Sequence, residues 1–364
     1  MVSIGGSRFG AGVRGARRYL WYNRAVLKRT VRLAAVILAM VVLLALFLRN
    51  SNPGEVMRLI GLMDPFWVAV ALAVNFIALF TRAERWRTLL QPGNPPAYYP
   101  TYFAVTVGYM SSTVLPVRAG DVVRAALMKR KTGTRFSTGI ATVLTERVLD
   151  LIAILIMLCW FVIASAHDPS FTVEQRLLLR SFGFFAGSLL AAMLTFVTGI
   201  ILATSTIRRF HERLGLMLPH RFRDPWMHFF DTFAASFRSA AQHPAAFAKV
   251  IVLTIVTWAC LSSQFWFTSL AMSHKLPFLS CFFLTGVSIV GMMIPTPGGV
   301  GGFHKVVQVA LIQFYAFGID DSVALALVLH LVGTLPVLIV GLALVVKEGL
   351  SMGQLVKIGE TREE

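Results

Sequence analysis

Six separate stretches of this chain, 33–48, 66–81, 139–166, 182–204, 250–272 and 322–346, are apolar over 16 residues or more. That repetition constrains the fold more than any other feature. Hydrocarbon offers no partner to a backbone N–H or C=O, so each run must be helical and lie in a bilayer. The first two runs are short for a span, and flanking arginines can lengthen them by snorkelling. Charged residues make up 14% of the 364, and the mean hydropathy is +0.71, which excludes a cytosolic enzyme. The formal charge of +17 would suggest nucleic acid in a soluble chain. Here the basic residues flank apolar runs, and no basic segment is interleaved with aromatics away from a membrane flank, so nucleic-acid binding is rejected.

Lys and Arg also set the orientation. With the N-terminus inside, 27 fall on the cytoplasmic side and five on the other, and both termini are cytoplasmic. Residues 1–32, with eight Lys/Arg and no acid, read as a basic tail held near anionic headgroups and leading into a signal anchor that is not cleaved. Residues 33–346 read as the transmembrane domain and 347–364 as a second cytoplasmic tail. Within the domain, 205–249 reads as a cytoplasmic interfacial segment whose stripe Trp226, Phe229, Phe230, Phe233 and Phe237 meets either the headgroups or the bundle.

Two further apolar stretches, 98–116 and 278–295, end in Pro/Gly breaks at Pro116-Val-Arg-Ala-Gly120 and Pro295-Thr-Pro-Gly-Gly-Val-Gly-Gly302. Helical runs follow at 121–131 and 303–317. A break in an apolar region frees backbone groups that protein or a wet cavity must satisfy, so each reads as a re-entrant helix pair. The first dips from the cytoplasm and the second from outside. The expected fold is therefore all-α: a polytopic membrane bundle of about six full spans plus two re-entrant helix pairs in an inverted pseudo-repeat. Chance likeness between two Pro-kinked hairpins is the alternative.

Polar residues cluster at three places. Arg118, Asp121 and Arg124 surround the first break; they form either a phosphate clamp at a helix start or an ion pair with positive-inside decoration. Glu146, Arg147 and Asp150 lie within about one turn of each other, directly before the apolar run Leu151–Ala164. Ionisable groups at membrane depth are paired and face the interior, which leaves a coupling-proton site or a structural pair. At the second break Gly298, Gly299 and Gly301 can form a nest of N–H donors, and His304 with Lys305 can complete an anion site. A dinucleotide loop would need a preceding strand, and the surroundings are helical. Arg82, Arg85 and Arg87 with Trp86 read as interface anchors. Cys159, Cys260 and Cys281 lie in apolar stretches, no His pair has ligand spacing, and no catalytic constellation or cofactor loop is present.

Four motifs together, Arg82-x-x-Arg-Trp-x-x-Leu-Leu90, Leu115-Pro-Val-Arg-Ala-Gly-Asp-Val-Val-Arg124, Glu146-Arg-Val-Leu-Asp150 and Pro295-Thr-Pro-Gly-Gly-Val-Gly301, resemble the lysylphosphatidylglycerol synthase transmembrane-region family. The resemblance covers about 60–350. It implies a flippase-like protein that handles lipids across the bacterial cytoplasmic (inner) membrane: an anionic phospholipid, or a polyprenyl-linked or hopanoid-type lipid. Asp121 stands where the family commonly has Glu, and His304 replaces a common Glu after the Pro-Gly-Gly motif. The 17 residues after Lys347 leave no room for an aminoacyl-transferase domain, so lipid synthesis is not expected of this chain. The expected role is passage of a lipid with an anionic or sugar headgroup between leaflets, without enzymatic activity, metal or cofactor. The alternative is a membrane subunit that recruits or regulates a separate lipid or polysaccharide synthase.

Overall fold

The computed structural model describes residues 34–114, 120–202, 205–294, 296–351 and 353–355. The expected N-terminal tail, residues 352 and 356–364 of the expected C-terminal tail, and Pro116, Arg118 and Pro295 of the two breaks fall outside the described residues. The architecture is all-α. In chain order the helices are α1 (Ala34–Leu48), α2 (Pro53–Gly61), α3 (Pro65–Leu90), α4 (Tyr98–Val114), α5 (Gly120–Thr132), α6 (Phe136–Ala164) and α7 (Val173–Ile201), followed by α8 (Ser205–Met217), α9 (His220–Gln242), α10 (Pro244–Ala271), α11 (Phe278–Met293), α12 (Gly302–Tyr315) and α13 (Ile319–Lys347). Prolines at the first helical position start α2, α3 and α10, where the missing N–H costs nothing. Asn52 and Asp64 cap α2 and α3, and Thr172 with Gln175 forms a capping box on α7.

Five helices, α3, α6, α7, α10 and α13, are 26–29 residues long with mean hydropathy between 1.8 and 2.6. At about 1.5 Å per residue each exceeds the roughly 30 Å hydrocarbon layer. These are five of the six expected spans, and the protein is a polytopic membrane bundle. The first expected span differs. The described part of α1, Ala34–Leu48, turns by 92° into α2. Asn52 stops it, capping α2 with its side chain while its own N–H donates to Asp320 Oδ1 at 2.8 Å. Among the described residues α1–α2 is the one bent pair with a span's apolar length, and neither expected re-entrant segment is a pair of that kind. The stretches around the two breaks fold instead as close helical hairpins, α4–α5 and α11–α12.

Glycines close both hairpins at backbone contact. A Cβ on Gly108 would lie 2.9 Å from the Gly120 carbonyl oxygen, and one on Gly302 would lie 2.6 Å from the Gly291 carbonyl oxygen. The ends of each hairpin meet. Tyr99 near the start of α4 and Lys131 near the end of α5 both reach Glu348, just beyond α13. For the other hairpin, His274 before α11 packs on Phe317 after α12 with ring centroids 4.4 Å apart.

Helix α13 is the spine. Its first half, Val323–Leu329, shares one apolar cluster with α11 and α12, while Val337 and Val345 share another with α3, α4 and α5. Pro336 lies between the halves. Its ring removes the N–H that would bond the Val332 carbonyl. Asn75 of α3 supplies the missing donor, with Nδ2 at 2.9 Å from Val332 O and 3.2 Å from Gly333 O. The aromatic stripe of α9 turns inward: Phe230, Phe233 and Phe237 are buried in a cluster with Leu149, Val197 and Ile200 of α6 and α7, so the bundle takes them rather than headgroups.

Candidate functional site: a buried arginine–carboxylate cluster

Helices α3 and α10 pack along their length, with register set by the Thr81–Thr257 hydroxyl pair at 2.7 Å. One turn further on, Arg85 enters the bundle. Its guanidinium is fully buried and forks between two carboxylates of α6, donating from Nη2 to Glu146 Oε1 at 2.8 Å and from Nη1 to Asp150 Oδ1 at 2.6 Å. Thr254 Oγ1 accepts a longer bond from Nη1 at 3.3 Å, and Trp258 Nε1 donates to Asp150 at 3.0 Å. Charges cannot stay buried without such pairing.

Arg124 arrives from α5. Its stem crosses α4 at Gly108, where a Cβ would stand 2.8 Å from Arg124 Cβ, so the glycine is what allows the crossing. Arg124 Nη1 lies 3.1 Å from Glu146 Oε2, and Nε lies 3.5 Å from Asp121 Oδ1. The guanidinium stands over the Trp86 ring at 4.9 Å. It is 1% exposed, yet none of its nitrogens makes a hydrogen bond among the described residues. Tyr109 of α4 is the hub. Its hydroxyl accepts from Arg147 at 2.9 Å and donates to Glu146 at 3.4 Å, while Arg82 sits over its ring at 4.6 Å. Arg147 also lies 3.2 Å from Glu146, 3.4 Å from Asp150 and 3.7 Å from Asp121.

Four arginines thus face three carboxylates, a surplus of one positive charge among the described residues. Arg85 and Glu146 form a closed floor, whereas Arg147 and Asp121 are 37% and 44% exposed and form a mouth. Glu146 is ten residues into α6, about 15 Å from that helix's basic end by helical rise. The cluster therefore lies at the basic-side edge of the apolar layer.

Five of the expected residues, Asp121, Arg124, Glu146, Arg147 and Asp150, come together here; Arg118 lies outside the described residues. The sequence reading had Arg85 as an interface anchor. The structure places it on the buried face of α3 with Asn75, Ala78, Leu79, Ala83, Trp86 and Leu89.

The second break is a separate place. Gly298, Gly299 and Gly301 adopt φ of 61°, 76° and 87°, values that only glycine takes without strain. The Gly299 N–H donates to Thr296 O, and the Gly301 N–H donates to His304 Nδ1 at 3.2 Å. Those donors serve the turn itself. His304 is buried beside Phe47, Phe303 and His330, its ring centroid 4.7 Å from that of His330. Lys305 is exposed and donates to Gln308 at 2.9 Å, apart from His304. The turn touches the first hairpin, since a Cβ on Gly298 would lie 3.4 Å from the Thr113 carbonyl oxygen, one helical turn from Tyr109. Among the described residues no group of three His, Cys, Asp or Glu side chains could hold a metal ion.

The family model described as the lysylphosphatidylglycerol synthase TM region matches residues 31–341. The chain belongs to this family. Over that range it is a membrane module of the family rather than a catalytic domain. A UPF0104 membrane protein of Pyrococcus horikoshii is 22% identical over 301 residues, covering 79% of this chain and 88% of its own length. One from Methanothermobacter thermautotrophicus is 22% identical over 337 residues, covering 89% and 95%. The glycosyltransferase AglD of Haloferax volcanii is 32% identical over 139 residues, 37% of this chain, and the match spans only 22% of that protein. These relatives are archaeal, which overturns the expected bacterial inner membrane; the multi-pass membrane location stands.

Proposed function

We propose that this protein passes a lipid with an anionic or sugar headgroup between leaflets, the arginine–carboxylate cluster receiving the headgroup. The observation that carries the reading is Arg124: a buried guanidinium that is ion-paired with Glu146 and Asp121 yet makes no hydrogen bond among the described residues, in a site with one surplus positive charge. Buried donors without a well-directed hydrogen bond are costly, and an anionic oxygen entering past Arg147 and Asp121 would satisfy them. In this reading Arg85, Glu146 and Asp150 hold the floor. The glycine turn at Gly298, Gly299 and Gly301, capped by His304 and followed by Lys305, forms the far wall.

The two hairpins act as oppositely facing re-entrant pairs of an inverted repeat. Supporting this, each hairpin has its ends together, one at Glu348 and the other at His274, near opposite ends of α13. The paired glycines Gly108–Gly120 and Gly291–Gly302 occupy matching places in them. The partial match to a glycosyltransferase favours a second reading, in which this membrane module serves a separate lipid or polysaccharide synthase.

Proteoliposomes holding fluorescent phosphatidylglycerol or a fluorescent polyprenyl-linked sugar test the two. The unmodified protein should speed outward exposure of at least one lipid, measured by dithionite quenching, and Arg124→Ala should return the rate to that of empty vesicles. Arg124→Lys keeps the charge but not the planar fork and should fall between. No acceleration with either lipid, or full activity in folded Arg124→Ala, overturns the transport reading.

A further inference from the structure

The hairpin α8–α9 leaves the bundle at the end of α7 and returns at the start of α10. Its inner side is fixed. His211 of α8 stacks on Phe230 of α9 with centroids 4.1 Å apart, and Trp226 Nε1 donates to the His211 carbonyl at 3.4 Å. Gly215 lets the two helices touch, since a Cβ there would stand 2.9 Å from Met227 Sδ. With Phe230, Phe233 and Phe237 buried against α6 and α7, the direction of the outer side of α8 is set.

That outer side is unlike a water-facing surface. Phe210, Leu216, Met217 and Leu218 are exposed, Met217 by 81%, and Arg213 lies among them at helical spacing. Residues 205–249 hold seven Lys/Arg against three Asp/Glu. Apolar residues interleaved with arginine on one face, beside a buried opposite face, are what a helix in the headgroup layer presents. Both ends of the hairpin are joined to spans, so the bilayer surface is already within reach.

We propose that the outer face of α8, with Phe210, Arg213, Leu216 and Met217, and Leu218 just beyond it, docks on an anionic bilayer surface and clamps the hairpin to the basic-side leaflet. This face is opposite to the stripe Trp226–Phe237, and the proposal is independent of whether the chain transports lipid. The occupant is a lipid surface rather than a protein because the hairpin is tethered between two spans and residues 205–249 carry a net positive charge.

A nitroxide at position 217 tests it, in full-length protein carrying Met217→Cys, Cys159→Ser, Cys260→Ser and Cys281→Ala. The labelled protein is placed in vesicles of phosphatidylcholine alone and of phosphatidylcholine with phosphatidylglycerol. In the anionic vesicles the label should collide with oxygen in preference to a water-soluble nickel chelate, in the manner of a label at the lipid-facing Phe184. Adding Arg213→Glu should reduce the docked fraction by about fivefold or more, one arginine's worth of surface attraction. A label at 217 as open to nickel as one at Ser351 in both vesicles overturns the proposal. So does equal insertion in both, since anionic lipid is then not required. Shielding from both reagents overturns it too, because a protein then covers the face. Phe210→Ser, labelled at 217, is the second variant: folded by its elution and melting, it should be more open to nickel.

Discussion

Arg85→Leu removes the shared partner of Glu146 and Asp150 without adding a charge. Breaking a buried pair by deleting one member costs roughly 3–5 kcal/mol. The low end applies here, because each carboxylate keeps other partners. Glu146 retains Arg124 at 3.1 Å and Arg147 at 3.2 Å; Asp150 retains Arg147 at 3.4 Å and Trp258 at 3.0 Å. The expected loss is about 3 kcal/mol, a factor of roughly 150 in the folded-to-unfolded ratio. Reversible unfolding in mixed micelles, followed by circular dichroism against denaturant, measures it. Adding Glu146→Leu should deepen that loss rather than relieve it, since it strips the buried Arg124 of the carboxylate 3.1 Å away. If Arg85→Leu costs less than about 1 kcal/mol, the value of an exposed surface pair, the cluster is hydrated and the argument from burial fails.

Other expectations follow from single contacts. Asn75→Leu leaves the Val332 carbonyl without a donor and should cost about 1 kcal/mol; in a Pro336→Ala background, where the helix supplies its own N–H, the same change should be close to neutral, and a double-mutant cycle reads the difference. Gly302→Ala drives a Cβ to 2.6 Å from a backbone oxygen and should destabilise the α11–α12 hairpin by about 1–3 kcal/mol, whereas Gly187→Ala, with nothing within 4 Å, should be neutral or slightly stabilising in the same unfolding assay. Lys131, by hydrogen-bonding to Glu348 beyond the end of α13, holds that carboxyl below its ordinary 4.5. A lowered carboxylate stabilises fully above the unfolded value and loses that contribution as pH falls through the folded one. Amide exchange at 98–102 and 128–132, corrected for intrinsic rates, should therefore quicken below about pH 4.5, and Glu348→Gln should remove the dependence.

Much of this was legible in the sequence, and the misses have physical causes. The five long spans were readable because hydrocarbon demands uninterrupted apolar helix. Glu146 and Asp150 were conspicuous for the converse reason, as carboxylates set against Leu151–Ala164. Arg85 was not, since an arginine beside a tryptophan near the end of a span looks the same whether it snorkels or is buried. The turn at Asn52 was also hidden, because it depends on a partner, Asp320, that is 268 residues away. The inward turn of Phe230, Phe233 and Phe237 could not be separated from a lipid-facing stripe, since a membrane surface and a helix bundle ask for the same periodicity. Which way His304 and Lys305 point was not legible either, for adjacent residues on a helix point about 100° apart.

Pro336 has a mechanical consequence. The backbone of α13 is weakest where it passes from one hairpin to the other, and across that point the support comes from Asn75 on a neighbouring helix. Side-chain hydrogen bonds between membrane helices average about 0.6 kcal/mol, close to thermal energy. The spine therefore carries a soft joint between two stiff arms, and tilting one arm against the other strains that single latch while leaving every other ladder bond of α13 intact.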